Sequence, residues 1–111
     1  MQLNTRDAGR VAIVDLKGRV VLGSGDLALR EAVQKLLDAG KTKIILNLKE
    51  VDYVDSAGIG ELVACKKRAT AKGGDVRLLM PKGTVYNVLT MVGLHLVFKI
   101  EDEEAKAIGT F

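Results

Sequence analysis

Ser56 stands in the stretch YVDSAGIGE, residues 53–61, directly after Asp55 and shortly before Gly58 and Gly60. A hydroxyl in that company can be a nucleophile, part of a phosphate cradle, an acceptor of a phosphoryl group, or a helix cap. A nucleophilic serine needs a base within hydrogen-bond reach and a third group to orient that base. The chain carries one histidine, His95, in the apolar setting GLHLVF, which suits a surface or half-buried position better than a general base. Val54 also occupies the place where the G-x-S-x-G elbow requires its first glycine. Hydrolase chemistry is not expected, and the chain is not expected to be an enzyme.

Gly58 and Gly60 supply the first part of G-x-G-x-x-G, but Val63 takes the last glycine position and no lysine follows as in the P-loop. Asp52 and Asp55 put negative charge where a phosphate would approach, against the pull of the free N–H groups at a helix start. One histidine, one cysteine and scattered acids give no metal-ligand spacing. No cofactor and no metal are expected. In the plain reading Ser56 caps a helix and the glycines permit a tight strand-to-helix turn. Glycine in a first helical turn costs roughly 1 kcal/mol relative to alanine, so the glycine pair is better explained by the close approach of another chain.

The elements around the motif follow from periodicity. LNTRD, a turn at Ala8-Gly9-Arg10 and VAIVDLKG read as a hairpin closed by Gly18, with a short extension RVV. From Asp26 the spacing becomes helical: Leu29, Val33, Leu36 and Leu37 share a face, Gly40 ends the helix, and Ser24 or Asp26 is placed to cap it. KIILNLKEV reads as a strand covered on both faces. After the motif, Ile59, Leu62, Val63 and Ala69 fall inward and Glu61, Lys67, Arg68 and Lys72 outward, up to Gly73-Gly74. DVRLLM is a strand stopped by Pro81. Thr84 is placed to cap a short helix with the stripe Val85, Val88, Leu89 and Val92, ended by Gly93. LVFKI is a last strand, and EDEEAKAIGTF opens acidic, as a helix start prefers. A hairpin followed by alternating helices and strands predicts an α/β fold, a mixed sheet with an antiparallel edge and an otherwise largely parallel order, helices packed on it.

Composition narrows the class. The 111 residues fit one domain, residues 1–111. With no Trp, two Tyr and two Phe, the chain cannot build a stacking platform for single-stranded nucleic acid. The net charge of +3 comes from 17 bases interspersed with 14 acids, so the clusters Lys41–Lys43 and Lys66–Arg68 read as solvated surface and no direct nucleic-acid partner is expected. Cys65, the single cysteine, cannot form an internal disulfide and reads as a packing residue. MQLNTRDAGR has no apolar core for a signal peptide, and no apolar run approaches the roughly 20 residues that span a bilayer. A cytoplasmic protein without a membrane partner is expected.

LNLKEVDYVDSAGIGELV resembles the signature of the bacterial anti-sigma-factor antagonist family of STAS domains, in which a buried strand ending in N-L leads to D-S-x-G-[IL]-G at a helix start. The likeness extends over nearly the whole chain. VAIVDLKGRV is similar to the family's second strand, GGDVRLLM to a later strand, and LTMVGLHLVFKI to its short helix, glycine and final strand. The resemblance implies that Ser56 is phosphorylated by a partner serine/threonine kinase that is also the anti-sigma factor. It further implies that Asp55, Ser56, Ala57, Gly58 and Gly60 bind that partner, that phosphorylation releases it and so regulates transcription, and that a phosphoserine phosphatase resets the switch. Antagonists of the family often follow the second strand with G-E-L-D, whose acids lie near the kinase interface. Here Arg19, Val20 and Val21 follow Gly18, and Gly23-Ser24-Gly25-Asp26 offers a displaced substitute. Ser24 reads as a turn residue or cap rather than a second acceptor. The alternative is a STAS module of another signalling or transporter complex, one that senses nucleotide.

Overall fold

The computed structural model describes residues 1–111. In chain order its elements are β1 (Gln2–Ala8), β2 (Val11–Val20), α1 (Gly25–Asp38), β3 (Lys43–Val54), α2 (Ser56–Ala71), β4 (Asp75–Leu79), α3 (Gly83–Met91), a 3-10 turn (Leu94–Leu96), β5 (Ile100–Glu101) and α4 (Glu104–Gly109). The five strands form one sheet in the order β1-β2-β3-β4-β5. β1 runs antiparallel to β2, and every other pairing is parallel. This is the mixed sheet that the alternation of helices and strands predicts.

Period-2 alternation sorts the strand residues onto two unequal layers. Ala12, Val14 and Leu16 of β2, Ile44, Leu46 and Leu48 of β3, and Val76 and Leu78 of β4 meet the inner stripes of α1, α2 and α3 in the main core. On the other face Val11, Ile13, Ile45 and Leu79 form a small second core under Ala107 of α4. The apolar run of β3 is therefore covered on both faces at Ile44–Leu46, as its composition predicts. α1 and α2 both end on the expected glycines: Gly40 and Gly73 sit in the left-handed region. There Lys41 N–H returns to Leu36 C=O and Gly74 N–H to Ala69 C=O, at 2.8 and 2.9 Å.

β3 is longer than its apolar run and changes period on the way. Its register against β2 slips twice, between Asp15 and Lys17 and between Gly18 and Arg19. Each slip inserts an extra β3 residue, a bulge that re-aims the side chains beyond it. Leu48, Val51 and Val54, three apart, are consequently all buried. Strand β3 thus stays anchored in the core up to the residue before Asp55.

Three expectations about helix starts and the last strand fail. Ser24 stands at the N-cap position of α1 without a side-chain hydrogen bond, and the Asp26 carboxylate accepts from the N–H of Leu27 instead. Lys82, not Thr84, precedes α3, and Val92 leaves the stripe to lie 52% exposed. LVFKI is not a strand: the chain makes a 3-10 turn at Leu94–Leu96, and β5 is left with Ile100 and Glu101. In a strand Leu94, Leu96 and Phe98 would share one face, but Leu96 is 82% exposed between the buried Leu94 and Phe98.

Candidate functional site

Asp55, at the end of β3, is the cap of α2. Its backbone is extended, with φ −93° and ψ −175°. Oδ1 accepts from the N–H of Gly58 at 2.9 Å and Oδ2 from the N–H of Leu22 at 3.1 Å. Its own N–H donates to Val20 C=O at 3.3 Å. One carboxylate thereby ties together the loop after β2 and the first turn of α2. The Gly58 N–H, and after it the Leu22 N–H, hold the Asp55 carboxyl below its ordinary pKa, because both bonds are made to the charged form.

The cap assigned to Ser56 from the sequence therefore belongs to its neighbour. Ser56 is the first residue of α2, exposed, and its hydroxyl makes no hydrogen bond within the protein. Both residue types can cap a helix, and the one still in extended backbone takes the role. Nor does Asp55 orient the Ser56 hydroxyl: its oxygens are committed to backbone N–H groups.

The two glycines of the motif do different things. Gly58 is buried, and a Cβ there would lie 2.2 Å from Val20 O and 2.8 Å from Val54 Cγ1. Its clearance serves the chain's own β2. Gly25, at the start of α1, makes the same approach from the other side: a Cβ there would lie 2.2 Å from Arg19 O and 2.7 Å from Val20 Cα. The first turns of α1 and α2 thus close on the end of β2. Gly60 is exposed, and a Cβ there meets nothing within 4 Å. Asp55 and Ala57 are half-buried, so the open face of the motif is Ser56 and Gly60, flanked by these two.

Behind the motif lies a charge that the sequence reading places on the outside. Glu61 is 4% exposed. Its Oε1 accepts from Arg30 Nε of α1 at 2.8 Å and its Oε2 from Arg68 of α2. Burial pushes the Glu61 pKa up, but the bonds from Arg68 and Arg30 more than offset it and hold the carboxyl below its ordinary value. The helical register held the signal: Gly58, Glu61, Leu62, Cys65 and Ala69 form the buried stripe of α2. Cys65 packs as expected, and burial pushes its thiol up to about 12, where it is not a nucleophile. Of the basic cluster, Lys66 holds Asp75 at 2.5 Å and Arg68 holds Glu61, leaving Lys67 as the exposed member. His95 is exposed in the turn after α3.

No helix is long and apolar enough to cross a membrane. The chain is 26% identical over 108 residues to a protein of Paenibacillus polymyxa named anti-sigma F factor antagonist, an alignment covering 97% of this chain and 92% of that one. Among solved structures it is similar to an anti-sigma factor antagonist from Mycobacterium paratuberculosis, at 16% identity and a TM-score of 0.87, over 98% of this chain and 92% of that one. It is also similar to the Bacillus cell-fate determinant SpoIIAA in its phosphorylated form, at 21% identity and a TM-score of 0.75, over 99% of this chain and 100% of that one. These two likenesses concern the fold. The family model of the STAS domain matches residues 2–107, and the chain belongs to the STAS-domain family.

Proposed function

We propose that the protein is an anti-sigma factor antagonist that works as a phosphorylation-controlled switch in the bacterial cytoplasm. Unphosphorylated, the face around Ser56 binds an anti-sigma factor that is a serine/threonine kinase, and a sigma factor is freed. Phosphorylation of Ser56 releases the kinase, and a phosphoserine phosphatase restores the binding state. The observation that carries this reading is that Ser56 projects an exposed hydroxyl, free of internal partners, from the first turn of a helix capped by another residue. The curated relative named as an antagonist supports it, as does a neighbour solved in both unphosphorylated and phosphorylated forms.

The chemistry of release follows from charge. A phosphoserine adds about −1.5 to −2 charge, and the N-terminal end of α2 tolerates it because the helix dipole is positive there. The fold is retained while the docking face changes. A partner packed against Ser56 meets new bulk and a dianion that must be desolvated. The test titrates wild type, Ser56→Ala and Ser56→Asp against the purified anti-sigma factor kinases encoded in the same genome. Wild type and Ser56→Ala bind one of them, and Ser56→Asp binds it at least about tenfold more weakly. Equal binding of Ser56→Ala and Ser56→Asp contradicts the switch.

A further inference from the structure

The two edges of the sheet are treated differently. β5, at one end of the strand order, has two residues, whereas β1, at the other, has seven, without a proline and in unbroken register with β2. Short strands, prolines, bulges and free charges are the usual means of keeping an edge from pairing. β1 uses none of them, because its charges are already paired: Arg6 holds Asp15 and Glu104, and Asp7 holds Lys41.

The hairpin sets the direction of the free backbone groups. Ala8 and Val11 face each other across a two-residue turn in which Gly9 has φ +65°, and the residues that close such a turn exchange backbone hydrogen bonds. Alternation from that pair turns the N–H and C=O of Arg6 and Asn4 toward β2 and leaves those of Leu3, Thr5 and Asp7 pointing out of the sheet edge. A groove of about 720 Å³ runs beside them. α1 packs over β2, so Leu3 and Thr5 of β1 line one side of the groove and Ala28, Ala32 and Leu36 of α1 the other. Glu31 and Lys35 of α1 also border it, exposed, four residues apart and outside every ion pair of the chain.

We propose that β1 is a dimerisation edge, which pairs antiparallel with β1 of a second copy and joins the two five-stranded sheets into one. A two-fold axis normal to the sheet relates the copies, the self-matching contact of a symmetric dimer. The two β2 strands then lie three strand spacings apart, about 14 Å. The α1 helices above them, each about 10–12 Å across with side chains, flank one shared groove that long side chains can bridge. The axis reverses the second α1, so Glu31 meets the partner's Lys35, and Lys35 the partner's Glu31. This charge pattern is complementary to its own inverse. The charged residues along the groove, Glu31, Lys35, Asp38 and Lys41, also sum to zero, which favours another copy over a strongly acidic or basic segment. None of Asp55, Ser56, Ala57 and Gly60 lines the groove, and the dimer does not depend on the switch proposed above.

Sedimentation equilibrium of the full chain, up to about 1 mM, tests the proposal. Wild type forms a concentration-dependent dimer. Thr5→Pro removes an outward N–H and leaves the bonds to β2 in place, and it weakens the dimer at least about tenfold. Glu31→Lys turns two attractive pairs into two repulsive ones and weakens the dimer about tenfold. Combining Glu31→Lys with Lys35→Glu restores the wild-type constant, because the exchanged charges again meet their inverse. Circular dichroism checks the fold of each variant, and if Thr5→Pro does not fold, the charge exchange decides. A wild-type chain that stays monomeric overturns the proposal, and so does a dimer that Glu31→Lys leaves unchanged or that the exchange fails to restore.

Discussion

The starts of α1 and α2 share a plan and differ in one residue type. Each follows a parallel strand, and each closes on the end of β2 through a glycine that leaves no room for a Cβ, Gly25 in one and Gly58 in the other. Each also carries a serine at its boundary. At α1 that serine, Ser24, occupies the N-cap position with φ −133° and ψ −95° and makes no cap bond. At α2 the boundary belongs to Asp55, whose carboxylate caps the helix and grips the loop before α1. The difference separates two jobs that local sequence runs together. Glycine provides close packing, and aspartate provides the cap, leaving the serine after it exposed and without an internal hydrogen bond.

The largest effect expected from this comparison is at the glycines. Gly25→Ala and Gly58→Ala each place a methyl against backbone of β2 that cannot give way, and each should cost about 3 kcal/mol in urea denaturation. A neutral Gly58→Ala would show that the approach of α2 to β2 is not needed. Glu61 comes next, because it links the two helices through Arg30 and Arg68. Glu61→Ala should cost about 2 kcal/mol, below the cost of stranding a fully buried charge, since both arginines reach solvent. The same carboxyl, with Asp15, Asp75 and Glu104, is held below its ordinary pKa in the fold. The unfolded chain therefore takes up more protons in acid, and stability falls as pH drops through and below the ordinary carboxylate values of 3.8 and 4.5. Glu61→Ala should flatten that fall.

Asp55→Ala should cost about 1 kcal/mol through loss of the cap, while Ser24→Ala changes stability by no more than a few tenths, about 0.3 kcal/mol. Equal costs would erase the distinction between the two helix starts. The smallest effect separates the glycines of the motif. Gly60→Ala meets open space and should stabilise the helix by about 0.5 kcal/mol, while weakening kinase binding if the partner fills that space. Denaturation and titration of the same variant read the two consequences separately.

Most of the fold was legible because it rests on local signals. Leu29, Val33, Leu36 and Leu37 mark one helix face, and Gly40 and Gly73 end their helices as placed. The parts that were not legible depend on partners distant in sequence or on a choice between adjacent residues. Nothing within residues 56–61 shows that Gly58 presses on Val20 of another strand, or that Arg30 of another helix neutralises Glu61. Asp55 and Ser56 are both good caps, and the position of the last extended residue, which decides between them, is set by the bulges of β3. LVFKI misleads because a short apolar run does not say which of its residues are buried, and here Phe98 is buried while Leu96 and Val97 are exposed.

The central claim is that Ser56, and not Ser24, is presented to another protein's active site. Peptide-resolved mass spectrometry after incubation with ATP and the kinase that binds the chain tests it most directly. The account predicts one phosphoryl group per chain, located on Ser56, with Ser24 unmodified and no label on Ser56→Ala. Stoichiometric labelling that persists in Ser56→Ala, or that maps to Ser24 in the wild type, would contradict it.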